Sequence, residues 1–372
     1  MIILLAVLLT NPLDEYLKPY KAEVNENGYI IYGTPFISVF DSRGKLLLEF
    51  DTEGRKSFEA VFIDDYLFVF DGEKLELTVF DKNMEKILTL ENIFWRYLIP
   101  VKNKRFFAVN AGLPEQILKQ LGEKHQKSFV FNKYLHRFNT FEKYPPLIQE
   151  IKIDQNSPDL AMNPGEKFFR MTKNQRLDNF NYKKFFIVEK GKTLYVMNQL
   201  DETIFKFDDE IIGLEKATDD QAAFDGPKFF LNLPDFKSFS TLKPGKGKPF
   251  YYDRDEYYRD IYNLRYASLS LIWDFVESVN GFRIAYSVPV PPEKGQEKVG
   301  ATYILNLYIL ELDHEGTPIG NPVIIENLVG SFAGIVDNKL YWLTMNWPEY
   351  KSGYLETFDI SPKWNNSKKA RR

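Results

Sequence analysis

An all-β fold is predicted by three observations: short apolar runs, the residues that punctuate them, and their recurrence. Between Glu59 and Leu90, Ala60-Val61-Phe62-Ile63 leads through Asp64-Asp65 to Tyr66-Leu67-Phe68-Val69-Phe70. Asp71-Gly72-Glu73-Lys74 leads on to Leu75-Glu76-Leu77-Thr78-Val79-Phe80, and Asp81-Lys82-Asn83 opens Met84 to Leu90. β-Branched and aromatic runs divided by Asp, Asn and Gly predict antiparallel strands joined by hairpins. The first copy has the same plan: Gly28 to Tyr32, Gly33-Thr34-Pro35, Phe36 to Phe40, Asp41-Ser42-Arg43-Gly44, then Lys45 to Leu48. There Asp accepts the turn's N–H groups, and Gly supplies a positive φ.

Along the chain, a strand ending in an aromatic or Leu before Asp or Asn recurs at Phe40-Asp41, Phe80-Asp81, Phe131-Asn132, Phe207-Asp208, Leu312-Asp313 and Phe358-Asp359. A second apolar run precedes each: Ile30 to Tyr32, Leu67 to Val69, Phe106 to Val109, Leu194 to Met197, Ile284 to Tyr286, and Tyr341 to Leu343. All-β repetition at roughly 40 to 60 residues predicts a six-bladed β-propeller of four-stranded antiparallel blades with loop insertions. A lone blade cannot bury both faces; neighbouring blades bury each other's. The 32 Phe and 22 Tyr supply the large rings that such packing needs.

The expected organisation is a single domain over 13–362, with insertions at about 111–127, 219–274 and 288–300. Leu113 to Lys127 carries Ile117, Leu118 and Leu121 at helical spacing after Pro114 and predicts a short helix. That insertion and Val288 to Gly300 would leave blades three and five at the same end. Residues 363–372 form a basic tail expected to be solvated and disordered. Met1 to Thr10 is apolar apart from its two ends. It is far shorter than the ~20 residues a bilayer span needs, so no transmembrane span is expected. It has neither a basic start nor a clear small-x-small cleavage site. Residues 1–12 are taken as the remnant of an export signal, which implies a periplasmic or extracellular protein; a buried N-terminal strand is the other reading.

A net charge of −4 gives no broad pull toward nucleic acid, and none is expected as a partner. There is no cysteine, so disulfides, thiolate catalysis and Cys-based zinc sites are excluded. His125, His136 and His314 are scattered singly, without the spacing of a paired metal ligand. Asp64-Asp65, Asp208-Asp209 and Asp219-Asp220 fall at turns, and strand neighbours point to opposite faces, so none is a ready acid/base dyad. Pro244-Gly245-Lys246-Gly247-Lys248 lacks the spacing and terminal Ser/Thr of a phosphate loop, and no Gly-x-Ser-x-Gly elbow occurs.

One local constellation stands out: Tyr251, Tyr252, Asp253, Asp255, Glu256, Tyr257 and Tyr258. Its rings could stack on a sugar or peptide while its carboxylates accept hydrogen bonds or hold a cation. The same letters also suit a loop strapped over the end of the fold by its tyrosines. An EF-hand is rejected, because Tyr258 and Leu264 occupy the places of its Gly and Glu.

The form Val39-Phe40-Asp41-Ser42-Arg43-Gly44-Lys45-Leu46-Leu47 after an apolar run resembles the repeat of NHL-like six-bladed propellers, as do many exported bacterial propeller proteins. The resemblance covers roughly 20–362. It implies interaction platforms, sensor ectodomains and, in a minority, enzymes. Members resembling lactonases use inward Glu, Asn and Asp around a divalent cation; those resembling lyases use His ligands. No catalytic, metal or cofactor residue can be carried onto this chain. The expectation is an exported, non-catalytic propeller that binds a protein, peptide or glycan. The alternative is a metal-dependent hydrolase, lactonase or lyase, with a divalent cation among carboxylates of a central channel.

Overall fold

The computed structural model describes residues 19–33, 35–55, 58–91, 93, 95–101, 105–110, 148–154, 161–169, 185–199, 202–207, 228–237, 270–290, 304–345 and 353–361. They form six antiparallel sheets. Sheet one holds β1 (Lys21–Asn25), β2 (Gly28–Tyr32), β3 (Phe36–Asp41) and β4 (Leu46–Asp51). Sheet two holds β5 (Phe58–Ile63), β6 (Tyr66–Asp71), β7 (Glu76–Phe80) and β8 (Lys86–Leu90). Sheet three holds β9 (Trp95–Val101), β10 (Arg105–Asn110), β11 (Ile148–Asp154) and β12 (Ala161–Phe169). Sheet four holds β13 (Phe185–Lys190), β14 (Thr193–Asn198), β15 (Thr203–Phe207) and β16 (Lys228–Phe230). Sheet five holds β17 (Leu271–Ser278), β18 (Gly281–Pro289), β19 (Leu305–Leu312) and β20 (Val323–Leu328). Sheet six has three strands among the described residues: β21 (Gly330–Val336), β22 (Lys339–Met345) and β23 (Gly353–Asp359). Each sheet is a meander in chain order.

The turn between third and fourth strands follows from its Asp. In sheet one, Asp41 Oδ1 accepts the N–H groups of Arg43 and Lys45, both at 2.9 Å. Gly44 N donates to the Asp41 carbonyl, and Gly44 holds φ at 80°. Asp81 repeats the bonds with Asn83 and Glu85, and Asp313 with Glu315 and Thr317. Met84 adopts the same positive φ, 63°, where sheet one has glycine. The repeated hairpin is thus real chemistry at three positions.

The chain divides into two compact units, Met1–Gly54 with Ala285–Leu310 and Ile319–Arg372, and Arg55–Ile284 with Glu311–Pro318. Within the second unit, neighbouring sheets pack face to face. Phe106 and Ala108 of β10 join Phe68, Phe70 and Val79 of sheet two. Phe107 and Val109, on the opposite face, join Phe185, Ile187 and Val196 of sheet four. This explains why Phe106 to Val109 reads as an unbroken apolar run: side chains alternate between faces, and both faces are buried. On the far face of sheet four, Tyr195 meets Phe282 edge-on at 4.7 Å. Within the first unit, Ala22 and Val24 of β1 pack on Ala333 and Leu343 of sheet six. The approach is close: a β-carbon on Gly334 would lie 2.1 Å from the Val24 carbonyl oxygen.

Two expectations about the repeat are corrected. The third strand of sheet three is Ile148–Asp154, paired to β10 with Val109 opposite Ile148, and not the run ending at Phe131-Asn132, which lies outside the described residues. Ile153-Asp154 carries the same strand-then-Asp pattern, but a long connection separates it from β10. Secondly, the stretch 219–274 includes β16, the outer strand of sheet four, as well as the start of β17. Lys228-Phe229-Phe230 is too short for periodicity to reveal.

Candidate functional site

A meander gives each sheet two distinct ends. Strands one and two, and three and four, are joined at one; strands two and three are joined at the other, where the chain also passes to the next sheet. The connections 111–147, 170–184, 231–270 and 290–304 all leave the second end of their own sheet. Of the long connections, 208–227 alone leaves the first.

Two of these excursions begin and end at closed necks. Lys237 N donates to Ser270 Oγ at 2.9 Å, and Ser270 N returns to the Lys237 carbonyl at 3.1 Å. Ile272 N donates to the Gln199 carbonyl at 2.9 Å, tying the neck to the turn before β15. In the same way Val290 N donates to the Ile304 carbonyl at 2.9 Å. Ser270 is 1% exposed, so its hydroxyl is committed to the neck rather than to a ligand. A chain that leaves and returns at bonded neighbours can change its length at little cost to the sheet beneath.

The first end carries charge. Arg105 opens β10, and its Nη1 donates to Glu150 Oε1 at 2.8 Å and to Glu189 Oε1 at 3.1 Å. Its Nη2 donates to Glu189 Oε2, completing a two-pronged contact. The cause is register: Arg105, Phe107 and Val109 share one face of β10, Glu150 lies opposite Phe107 on β11, and Glu189 follows Phe185 and Ile187 on one face of β13. The Glu189 and Glu150 hydrogen bonds push the guanidinium pKa above its ordinary value, against the opposing effect of burial. Lys190, pointing to the other face of β13, places Nζ 2.8 Å from His314 Nδ1. An ammonium only donates, so the ring supplies the lone pair. The Phe282 ring stands edge-on to the imidazole at 6.4 Å.

This cluster clasps sheets and is not arranged for catalysis. Both carboxylates are engaged by Arg105, and Glu150 at 1% exposure cannot be reached by a substrate. It was not read from the sequence. The one available signal was a Glu interrupting the apolar alternation of Ile148-Gln149-Glu150-Ile151, since Glu150 and Glu189 lie 45 and 84 residues from Arg105.

Tyr251, Tyr252, Asp253, Asp255, Glu256, Tyr257 and Tyr258 lie outside the described residues, within the excursion closed by Lys237 and Ser270. Also outside are the expected helix at Leu113 to Lys127, Met1 to Thr10, His125, His136, Asp208-Asp209 and Asp219-Asp220. Asp64-Asp65 forms the exposed turn between β5 and β6, as expected. Among the described residues, no three His, Asp or Glu side chains are grouped to hold a metal ion, and no helix is long and apolar enough to cross a membrane.

No family model matches the chain, and no curated protein matches it. Among solved structures the neighbours are β-propeller proteins. A DUF4221-family member from Bacteroides vulgatus is 11% identical over 92% of this chain and 94% of its own, with a TM-score of 0.45. A protein of Bacteroides fragilis designated as exported is 9% identical over 91% of this chain and 89% of its own, also at 0.45. The β-propeller domain of Cps50 (Swd1) from Myceliophteria thermophila is 8% identical over 93% and 98%, at 0.42.

Proposed function

We propose that the chain is a six-bladed β-propeller of the NHL-like type, exported to the periplasm or cell exterior, that binds a protein, peptide or glycan without catalysis. Each sheet is one blade. The observation that carries the reading is the placement of 111–147, 231–270 and 290–304, each at the second end of its own sheet. Loops held by a rigid scaffold are where binding residues concentrate. The run from Tyr251 to Tyr258 lies in one of them, with rings to stack on a sugar or side chain and carboxylates to accept its hydrogen bonds. Export rests on the apolar residues 2–9.

Thermal unfolding of the chain against glycans, peptides and divalent ions, with and without a chelator, tests this. A ligand of the folded state stabilises by about 2.7 kcal/mol at one hundred times its Kd. The expected result is a higher Tm with a glycan or peptide and none of the metal dependence. A fall in Tm with chelator, restored by one ion, would instead support a metal-dependent hydrolase, lactonase or lyase.

A further inference from the structure

We propose that Tyr354 and Glu356 of β23, with Thr344 of β22, form a subsite that takes the guanidinium of an arginine side chain from a protein or peptide partner. The inference rests on sheet six alone and stands apart from the excursion at 231–270.

Register assembles the group. Between β22 and β23, Thr344 lies opposite Tyr354, Leu343 opposite Leu355, and Trp342 opposite Glu356. Leu343 and Leu355 point toward sheet one, so Thr344, Tyr354, Trp342 and Glu356 share the other face as two cross-strand pairs on neighbouring rungs. Trp342 is 0% exposed and anchors that face, its indole N–H donating to the Val329 carbonyl at 3.2 Å. Tyr354, by contrast, is 38% exposed.

Hydrogen bonds hold the polar members in place. Thr344 Oγ1 donates to Glu356 Oε2 at 2.6 Å, and the Tyr354 phenol donates to the same carboxylate. Side chains tied down in this way before a ligand arrives lose less rotamer freedom when it binds. Both donors are neutral hydroxyls, so the half-buried carboxylate keeps its charge, with about four lone-pair positions to fill. Among the described residues, Glu356 has no Lys, Arg or His counter-charge, and the Tyr354 ring has no aromatic or cationic partner.

The chemistry that completes this group is a flat cation with several N–H donors. A guanidinium meets each requirement: its planar fork gives a carboxylate two parallel N–H bonds, and its face stacks on an aromatic ring. An ammonium would bring the charge without the fork or the plane. A sugar would stack and donate, yet would leave the carboxylate without a counter-charge, so arginine is favoured over a glycan at this position.

Three probes titrated into the full chain test the assignment: acetyl-arginine amide, acetyl-lysine amide and the neutral isostere acetyl-citrulline amide. Tyrosine rings and backbone amides are followed by NMR. The expected result is saturable shifts at Tyr354 and Glu356 with the arginine probe, weaker binding of the lysine probe, and binding of citrulline at least about tenfold weaker. Glu356→Gln keeps the size of the side chain and its hydroxyl partners, so it separates loss of charge from loss of fold; it should weaken the arginine probe at least about tenfold. Tyr354→Leu should weaken it about two- to fivefold through the lost stacking. Absence of a saturable shift at Tyr354, equal binding of arginine and citrulline, or undiminished binding by Glu356→Gln would overturn the proposal. So would a methyl glycoside that binds the same residues more tightly than the arginine probe.

Discussion

Replacing Arg105 with Ala should cost far more than a surface ion pair is worth. The side chains of Arg105, Glu150 and Glu189 are 17%, 2% and 14% exposed. Removing the guanidinium takes a charged partner from the buried Glu150 carboxylate, and losing one partner of a buried pair costs about 3–5 kcal/mol. An exposed pair would cost at most about 1 kcal/mol. Urea unfolding of both proteins at pH 7 measures the difference. Replacing all three residues by Leu should recover most of the loss, because apolar packing in place of a buried ion cluster is often neutral or better. A cost below about 1 kcal/mol would refute the reasoning.

Three further outcomes follow from the same geometry. Gly334→Ala should lower Tm strongly, because its β-carbon would sit 2.1 Å from the Val24 carbonyl oxygen and force β1 from β21; an unchanged Tm would contradict that approach. Met84→Gly should raise stability by up to about 1 kcal/mol, and Gly44→Ala should lower it by a similar amount, since both positions hold positive φ; denaturant midpoints decide. Burial, with Tyr341 next in importance, pushes the Tyr29 phenol up to about 12. Its neutral form is favoured on folding, so stability should fall as pH rises from about 10 toward 12, and Tyr29→Phe should flatten that part of the profile.

The second and third strands of most sheets were legible in the sequence for a physical reason. Leu67 to Phe70 and Phe106 to Val109 bury both faces, and so they stand out as apolar runs between turns. The Asp turns were legible because Asp41, Asp81 and Asp313 make their hydrogen bonds within four residues. Outer strands were harder to see. Ala161–Phe169 contains Pro164 and pairs to β11 through a register shift, and Lys228–Phe230 is a fragment. The copy sought at Phe131-Asn132 failed because a strand ending in Asp is a weak signal once a long connection allows two placements. Arg105, Glu150 and Glu189 could not be grouped from sequence, because the fold alone brings the three strands together.

The most direct test of the binding account replaces residues 238–269 with a short Gly-Ser linker between Lys237 and Ser270. Glycan and peptide arrays are then probed with both proteins. The neck predicts that the linker protein keeps its fold and Tm, and the account predicts that it loses binding shown by the full chain. A folded linker protein with undiminished affinity would contradict it.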